Sequence, residues 1–321
     1  MSWARCPRRR ARRPPSPEEA IPASRNYVAS FSFTARTAAA LFFGWLLTGA
    51  ALTAFSQSPA PAVPAWQRDL AAAQVLQTAA ALATSRDPAA AQVQRDRLGQ
   101  LYRDLAAKYP NENAVQHAAA DYFGATGNRD LAIRYWHRAE TLDPQDAAGA
   151  EALGSAALAR GDVREARSQF QRAVDARPGE ALYHFDLANV LYLFRHDLAN
   201  PPGPAGSEAV MVSSLEQFRL ASDLAPQDAR LAQAYAETFY MLAKPDWTGA
   251  LAAWEKVRSL NAPNSDFANG NLARISLRLG RPEETDKYLD AIRDPGFAGL
   301  KAKLHAQAAD LRRQQAPPAP H

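Results

Sequence analysis

The sequence predicts an all-α fold, a solenoid of stacked antiparallel helix pairs ending in a capping helix. Three observations carry this. Pro110, Pro144 and Pro178 stand 34 residues apart. Ala120, Ala132, Trp136 and Ala139 precede Pro144 at the offsets where Gly154, Ala166, Phe170 and Ala173 precede Pro178. Within one period, apolar residues recur at three- and four-residue spacing, which puts them on one helical face. A fixed period of this length means stacked copies of one small unit.

The chain has 321 residues, 47% of them hydrophobic and 22% charged, with ample length for a core. Its first 36 residues form a basic leader that reads as disordered: eight arginines face Glu18 and Glu19, a net of +6. The whole chain carries +4, so +4 less +6 leaves −2 for residues 37–321. The repeat region is therefore mildly acidic and lacks the clustered cations that nucleic-acid binding requires. Cys6, the single cysteine, lies in the leader, so neither an intrachain disulfide nor a thiolate metal site is expected.

Nineteen residues from Thr37 to Phe55 carry no charge. Three readings stand for the segment 37–56. A secretory signal would be cut after Ala54-Phe55-Ser56, although the run exceeds the usual apolar region of about 7–15 residues. An uncleaved anchor suits a run of about 18 or more apolar residues, with the upstream arginines holding its N-terminus in the cytoplasm. A buried core helix is the third. The first two place the repeats on the periplasmic side. Residues 57–66 read as a Pro/Ala linker, 67–313 as the solenoid and 314–321 as a disordered tail.

Residues 147–178 show the unit most clearly. Ala150, Leu153, Gly154 and Ala157 form one helical stripe, and Gly161 supplies the left-handed stop. Asp162 caps the next helix, with Glu165 completing a capping box. Ala166, Phe170 and Ala173 form the second stripe, which Pro178 ends because it has no amide donor. Gly154, Ala166 and Ala173 let the two helices approach closely, with Phe170 filling the space beside them.

These residues resemble the tetratricopeptide-repeat family, whose pattern is a 34-residue helix–turn–helix. Leu153-Gly154, Ala166, Phe170, Ala173 and Pro178 match it in order, as do Ala120, Phe123, Ala132, Trp136, Ala139 and Pro144, with Gly127 in the turn. Later units are altered. Residues 181–226 carry Ala188, Leu191, Phe218, Ala221 and Pro226, with 14 residues added, read as a loop insertion over 196–212. Residues 229–263 carry Ala236, Phe239, Ala250, Trp254 and Pro263, with the turn lengthened around Pro245-Asp246-Trp247. Residues 266–295 keep Ala273, Gly280, Leu289 and Ile292, but Thr285 replaces the small alanine. The first unit, ending at Pro110, keeps Tyr102. The helix 297–313 is the cap. The resemblance implies a right-handed superhelical solenoid of about five to six repeats.

Chemistry is sparse. There is no phosphate loop, no His-Glu-x-x-His and no nucleophile elbow. No catalytic residue, metal or cofactor is expected, and His117 and His184 read as groove-facing or surface residues. The pair Glu283-Glu284 reads as a charged helix start.

In proteins of this family, the first helix of each unit lines a concave groove. Projected here, the groove displays His117 and Asp121; Glu151 and Ser155; Phe185, Asn189 and Tyr192; Gln233, Glu237 and Tyr240; then Arg274 and Arg278. That surface runs from acidic through aromatic to basic and suits a peptide. Some members grip a C-terminal carboxylate with Lys, Asn and Arg; the corresponding sites hold His117, Asp121 and Glu151, so that clamp is not reproduced. The expected function is a non-enzymatic protein-interaction scaffold of the bacterial envelope. An assembly factor for cytochrome, pilus or outer-membrane clients is the alternative, and an enzyme with a site in 196–212 is the third.

Overall fold

The computed structural model describes residues 63–82, 87–261 and 265–316. The expectations for residues 1–62, including the leader and the apolar run, lie outside them, as do Pro263 and residues 317–321. The described residues hold thirteen α-helices and no strand. In chain order they are α1 (Ala65–Leu82), α2 (Pro88–Lys108), α3 (Asn113–Ala125), α4 (Arg129–Leu142), α5 (Ala147–Ala159), α6 (Val163–Ala176) and α7 (Ala181–Leu193). Then come α8 (Pro204–Leu224), α9 (Ala229–Thr238), α10 (Trp247–Leu260), α11 (Asp266–Arg278), α12 (Pro282–Asp290) and α13 (Ala298–Gln315). None of them is long and apolar enough to cross a membrane.

Successive helices form pairs, and each pair packs on the next through its second helix: α4 on α5, α6 on α7, α8 on α9, α10 on α11. One slot pattern explains the stacking. In the second helix of a pair, a small residue, a large one four positions on and another apolar residue three further face the first helix. Ala166, Phe170 and Ala173 fill these slots in α6, and Ala132, Trp136 and Ala139 fill them in α4; all are buried. In α10 they hold Ala250, Trp254 and Val257, and in α2 the bulkier Leu98, Tyr102 and Leu105. A Cβ added at Gly154 would meet the Phe170 ring at 3.1 Å, so the backbone of α5 lies directly against that ring.

Two slots tolerate a hydroxyl. Ser214 occupies the small position of α8 and donates to Ala188 O across the pair at 2.9 Å. Thr285 does so in α12 and donates to Arg281 O at 3.0 Å. Both are buried, and a buried hydroxyl costs little once it is hydrogen-bonded. A unit of this kind cannot bury its apolar faces alone, so the neighbouring pair completes the core.

The prolines act as helix stops. Tyr109, Asp143, Arg177 and Ala225 each precede one, and their amides close the last turn on Leu105, Ala139, Ala173 and Ala221. The proline that follows cannot continue the helix. Pro295 behaves differently: α12 ends at Asp290, and Pro295 opens a 3-10 turn, 295–297, that leads into α13.

The capping box expected at α6 is half realised. Asp162 Oδ1 accepts from Glu165 N at 3.1 Å. The reciprocal bond is missing because Asp162 N already donates to Ala157 O at 2.9 Å, in the Schellman closure around Gly161 (φ 80°). Glu165 instead accepts from Gln169 Nε2 at 2.8 Å.

The 14 residues added after Pro178 are not all loop. Helix α8 has 21 residues where α4 and α6 have 14, and the connector 194–203 has ten where 126–128 has three. The insertion thus divides equally between connector and helix. Pro204 starts the helix because its missing N–H falls where no intrahelical partner exists. Gly206, in the first turn, lies so close to Pro201 O that any Cβ would collide with it.

Candidate functional site

All twelve groove residues fall on the first helices α3, α5, α7, α9 and α11, except Tyr240, which lies in a 3-10 turn (239–241) continuing α9. Their environments differ sharply along the stack.

At the α3 end, His117 holds two pairs together. Its Nδ1 lies 2.8 Å from Asp146 Oδ2, at the start of α5, and its Nε2 3.3 Å from Asp121 Oδ2. Burial opposes the charge on the ring, but the hydrogen bonds and charges of the two aspartates outweigh it and raise the imidazole pKa to about 10. Asp146 is also opposed by burial, yet His117 and the Gly149 amide hold its carboxyl down at about 2. Asp121 accepts from Trp136 Nε1 at 3.1 Å as well. His117 is therefore engaged in joining two units, and Asp121 is engaged within its own. Glu151 and Ser155 follow on α5, both half-buried.

The middle of the face is aromatic. Phe185 and Tyr192 meet Phe218 of α8 edge-on, at 5.7 and 6.4 Å. Asn189 turns its amide back onto Phe185 O at 2.9 Å. Burial, with the Glu237 charge as a smaller influence, pushes the Tyr192 phenol up, so Tyr192 and Glu237 share one environment. Glu237 accepts from Gln233 Nε2 at 2.8 Å, yet burial still raises its pKa.

Tyr240 is the hinge between the aromatic and basic parts. Its hydroxyl donates to Asn271 Oδ1 of α11 at 3.0 Å, and its ring lies 5.7 Å from Trp247 and 6.5 Å from Trp254. Arg278 stacks its guanidinium on the Trp247 ring at 4.6 Å. Arg274, one helical turn earlier, is half-buried, and that burial lowers its pKa. From Tyr192 to Arg278 the structure brings together residues from three successive pairs.

Trp247, Phe218 and Asn271 lie beside these residues, and none of the three is among the twelve groove residues expected from the sequence. Trp247 had been placed in a lengthened turn; it is the first residue of α10, capped by Asp246, whose Oδ1 accepts from Thr248 N at 3.0 Å. An Asp followed by a helical stripe is the signal that could have found it.

His184 requires a correction. Expected on the groove or surface, it is 4% exposed, with Nδ1 2.7 Å from Gln217 Oε1 and Nε2 2.9 Å from Pro178 O. Its position in the first turn of α7 faces α8 and the preceding turn, so both ring nitrogens find oxygen partners inside the fold.

The 196–212 segment has one chemical juxtaposition that spacing did not reveal. His196 Nδ1 lies 2.9 Å from Ser207 Oγ. The serine is buried, and Glu208 accepts from Ala243 N at 2.9 Å, which ties α8 to the end of the α9 turn. The Ser–His contact joins the connector to its helix. Cavities of about 390 and 450 Å³ are lined around Tyr135 and around Asn269, and neither includes any of the twelve residues.

Residues 117–181 and 151–195 match the family model described as tetratricopeptide repeat. Three solved structures resemble the chain at low identity. YrrB, described as a tetratricopeptide-repeat protein with an unusual peptide-binding site, is 14% identical, with a TM-score of 0.48 over 66% of this chain and 97% of its own. The Pseudomonas aeruginosa protein pilF is 12% identical, with a TM-score of 0.46 over 77% and 99%. MamA is 15% identical, with a TM-score of 0.41 over 61% and 95%. No curated protein matches. The motif match and the slot pattern of the second helices agree: residues 117–195 are tetratricopeptide-repeat units, and the pairs on either side pack in the same way.

Proposed function

We propose that this protein is a non-enzymatic interaction scaffold of the bacterial cell envelope, which takes a segment of another protein along the face formed by α7, α9 and α11. One observation carries the reading. Tyr192 and Tyr240, from successive units, stand half-exposed between a half-buried carboxyl, Glu237, and a pair of arginines, Arg274 and Arg278. Aromatic side chains flanked by charge concentrate binding energy at protein interfaces. The envelope location is supported by the uncharged run Thr37–Phe55 behind an arginine-rich leader, which either directs export or anchors the chain.

The test is capture of crosslinked partners from solubilised envelopes. Tyr192→Ala should reduce recovery several-fold while far-UV circular dichroism stays that of the wild type. Tyr240→Phe, which keeps the ring and loses only the bond to Asn271, should retain most of it. Equal recovery by the wild type and Tyr192→Ala would remove the assignment of this face. N-terminal sequencing of the mature protein distinguishes cleavage near Gln57 from an intact anchor.

A further inference from the structure

Arg274 and Arg278 lie one helical turn apart on α11, so their side chains emerge on the same face. The Arg278 guanidinium lies over the Trp247 ring at 4.6 Å, and Tyr240 packs against the same indole at 5.7 Å. Arg274 sits beside Tyr240 and Arg278. Among the described residues neither arginine has an ion pair, although most other salt-bridge partners in the fold are within a turn or a neighbouring helix of each other. Glu237, the acidic neighbour on α9, is hydrogen-bonded to Gln233 instead.

This arrangement is costly for the protein alone. A half-buried guanidinium loses hydration, and without an anion nothing offsets that loss. A second guanidinium nearby adds like-charge repulsion. Packing on Trp247 fixes the orientation of Arg278 and leaves its N–H groups free to be shared. Two guanidiniums with nearby aromatic rings make a receptor for a carboxylate, which accepts from Arg in bidentate geometry.

We propose that Arg274 and Arg278 form the acid-recognising end of the binding face, and that the partner is an acidic peptide segment placing a carboxylate between them and an apolar side chain against Tyr240 and Trp247. The inference rests on the proposed binding face and adds the chemistry of its occupant. The site is on α11, four pairs beyond His117 and Asp121, so it is not a displaced version of the clamp that is missing there.

The test uses the full-length protein and fluorescein-labelled, C-terminally amidated 12-residue peptides with Glu and Leu at varied spacing. A matching set has Gln for Glu, and a third has a free C-terminal carboxylate. Anisotropy should show the Glu peptides binding at least about tenfold more tightly than their Gln counterparts, an order expected of charge-assisted hydrogen bonds. Arg278→Gln, at an exposed position, should lose about tenfold in affinity for the Glu set with an unchanged melting curve, and Arg274→Gln should do the same. A gain for the free-carboxylate set that is lost in both variants assigns the site to a chain terminus, and no such gain assigns it to side chains; both agree with the inference. Equal binding of Glu and Gln sets, failure of the Glu set to bind, or affinities unchanged in both variants overturns it. If Gln peptides bind and Tyr192→Ala abolishes that binding, the face remains a binding site and only its acid recognition is refuted.

Discussion

Asp146→Asn tests the ion pair that joins the first two regular units. His117 lies between Asp121 and Asp146, with 21% of its side chain exposed, against 12% for Asp146 and 55% for Asp121. From the Asp146 side, a carboxyl moved from 3.8 to about 2 corresponds to about 2 kcal/mol at neutral pH. From the His117 side, a ring moved from 6.5 to about 10 corresponds to about 5 kcal/mol. The two differ because His117 also counts Asp121, which is screened by solvent, so the smaller figure is the better measure of the buried pair. Asn keeps the N-cap to Gly149, since it caps about as well as Asp. The substitution therefore removes the charge and leaves the cap, and should cost about 2 kcal/mol at pH 6.

The pH dependence follows from the two shifts. The raised His117 pKa means its contribution is complete below 6.5 and lost as pH rises through about 10. The lowered Asp146 pKa means its contribution is complete above 3.8 and lost as pH falls towards about 2. Wild-type stability contributed by this pair should be flat between these limits and fall on either side, with a shallower alkaline slope in Asp146→Asn. Urea unfolding at pH 6 and 9, with NMR titration of the His117 ring, measures both. A ring that titrates below 6.5 in the folded protein would show that burial outweighs the aspartates, and the reasoning would fail with its sign reversed.

Two further outcomes follow from packing. Gly206→Ala should destabilise by about 2 kcal/mol or more, because the new methyl meets the rigid Pro201 carbonyl; an unchanged thermal midpoint would refute that close approach. Trp254→Phe should cost less than Trp136→Phe in urea unfolding: Trp254 Nε1 is buried without a hydrogen-bond partner, whereas Trp136 Nε1 donates to Asp121, and an equal or greater cost for Trp254→Phe would refute this.

Much of the fold was legible because the repeat is written in local terms. Pro144 and Pro178 stop helices wherever they occur, Gly127 and Gly161 permit left-handed turns, and the Ala–aromatic–Ala spacing marks a packing stripe. Thr285 was read as a departure from the pattern and proves a conservative one, since its hydroxyl bonds within its own helix. The 196–212 segment was read as loop because Pro201-Pro202-Gly203-Pro204 is a strong breaker signal. A proline also starts helices, and spacing alone cannot say which role Pro204 takes.

The sequence by itself determined the period, the helix pairs, the slots that stack them and the first helices that carry eleven of the twelve candidate residues, Tyr240 lying in the turn that continues α9. Each of these follows from residues within about one period of one another. Tertiary structure alone decided which face residues are available. His117 and Asp121 are held by Asp146 and Trp136, and His184 is enclosed by Gln217 and Pro178, contacts that span 15 to 33 residues apart from the one with Pro178. Among the described residues Arg274 and Arg278 have no ion pair, for a related reason. Pairing depends on where α9 and α10 place their acids, and Glu237 is turned towards Gln233. Charge balance across packed helices is a property of three-dimensional distance, and distance between units is what a one-dimensional repeat does not record.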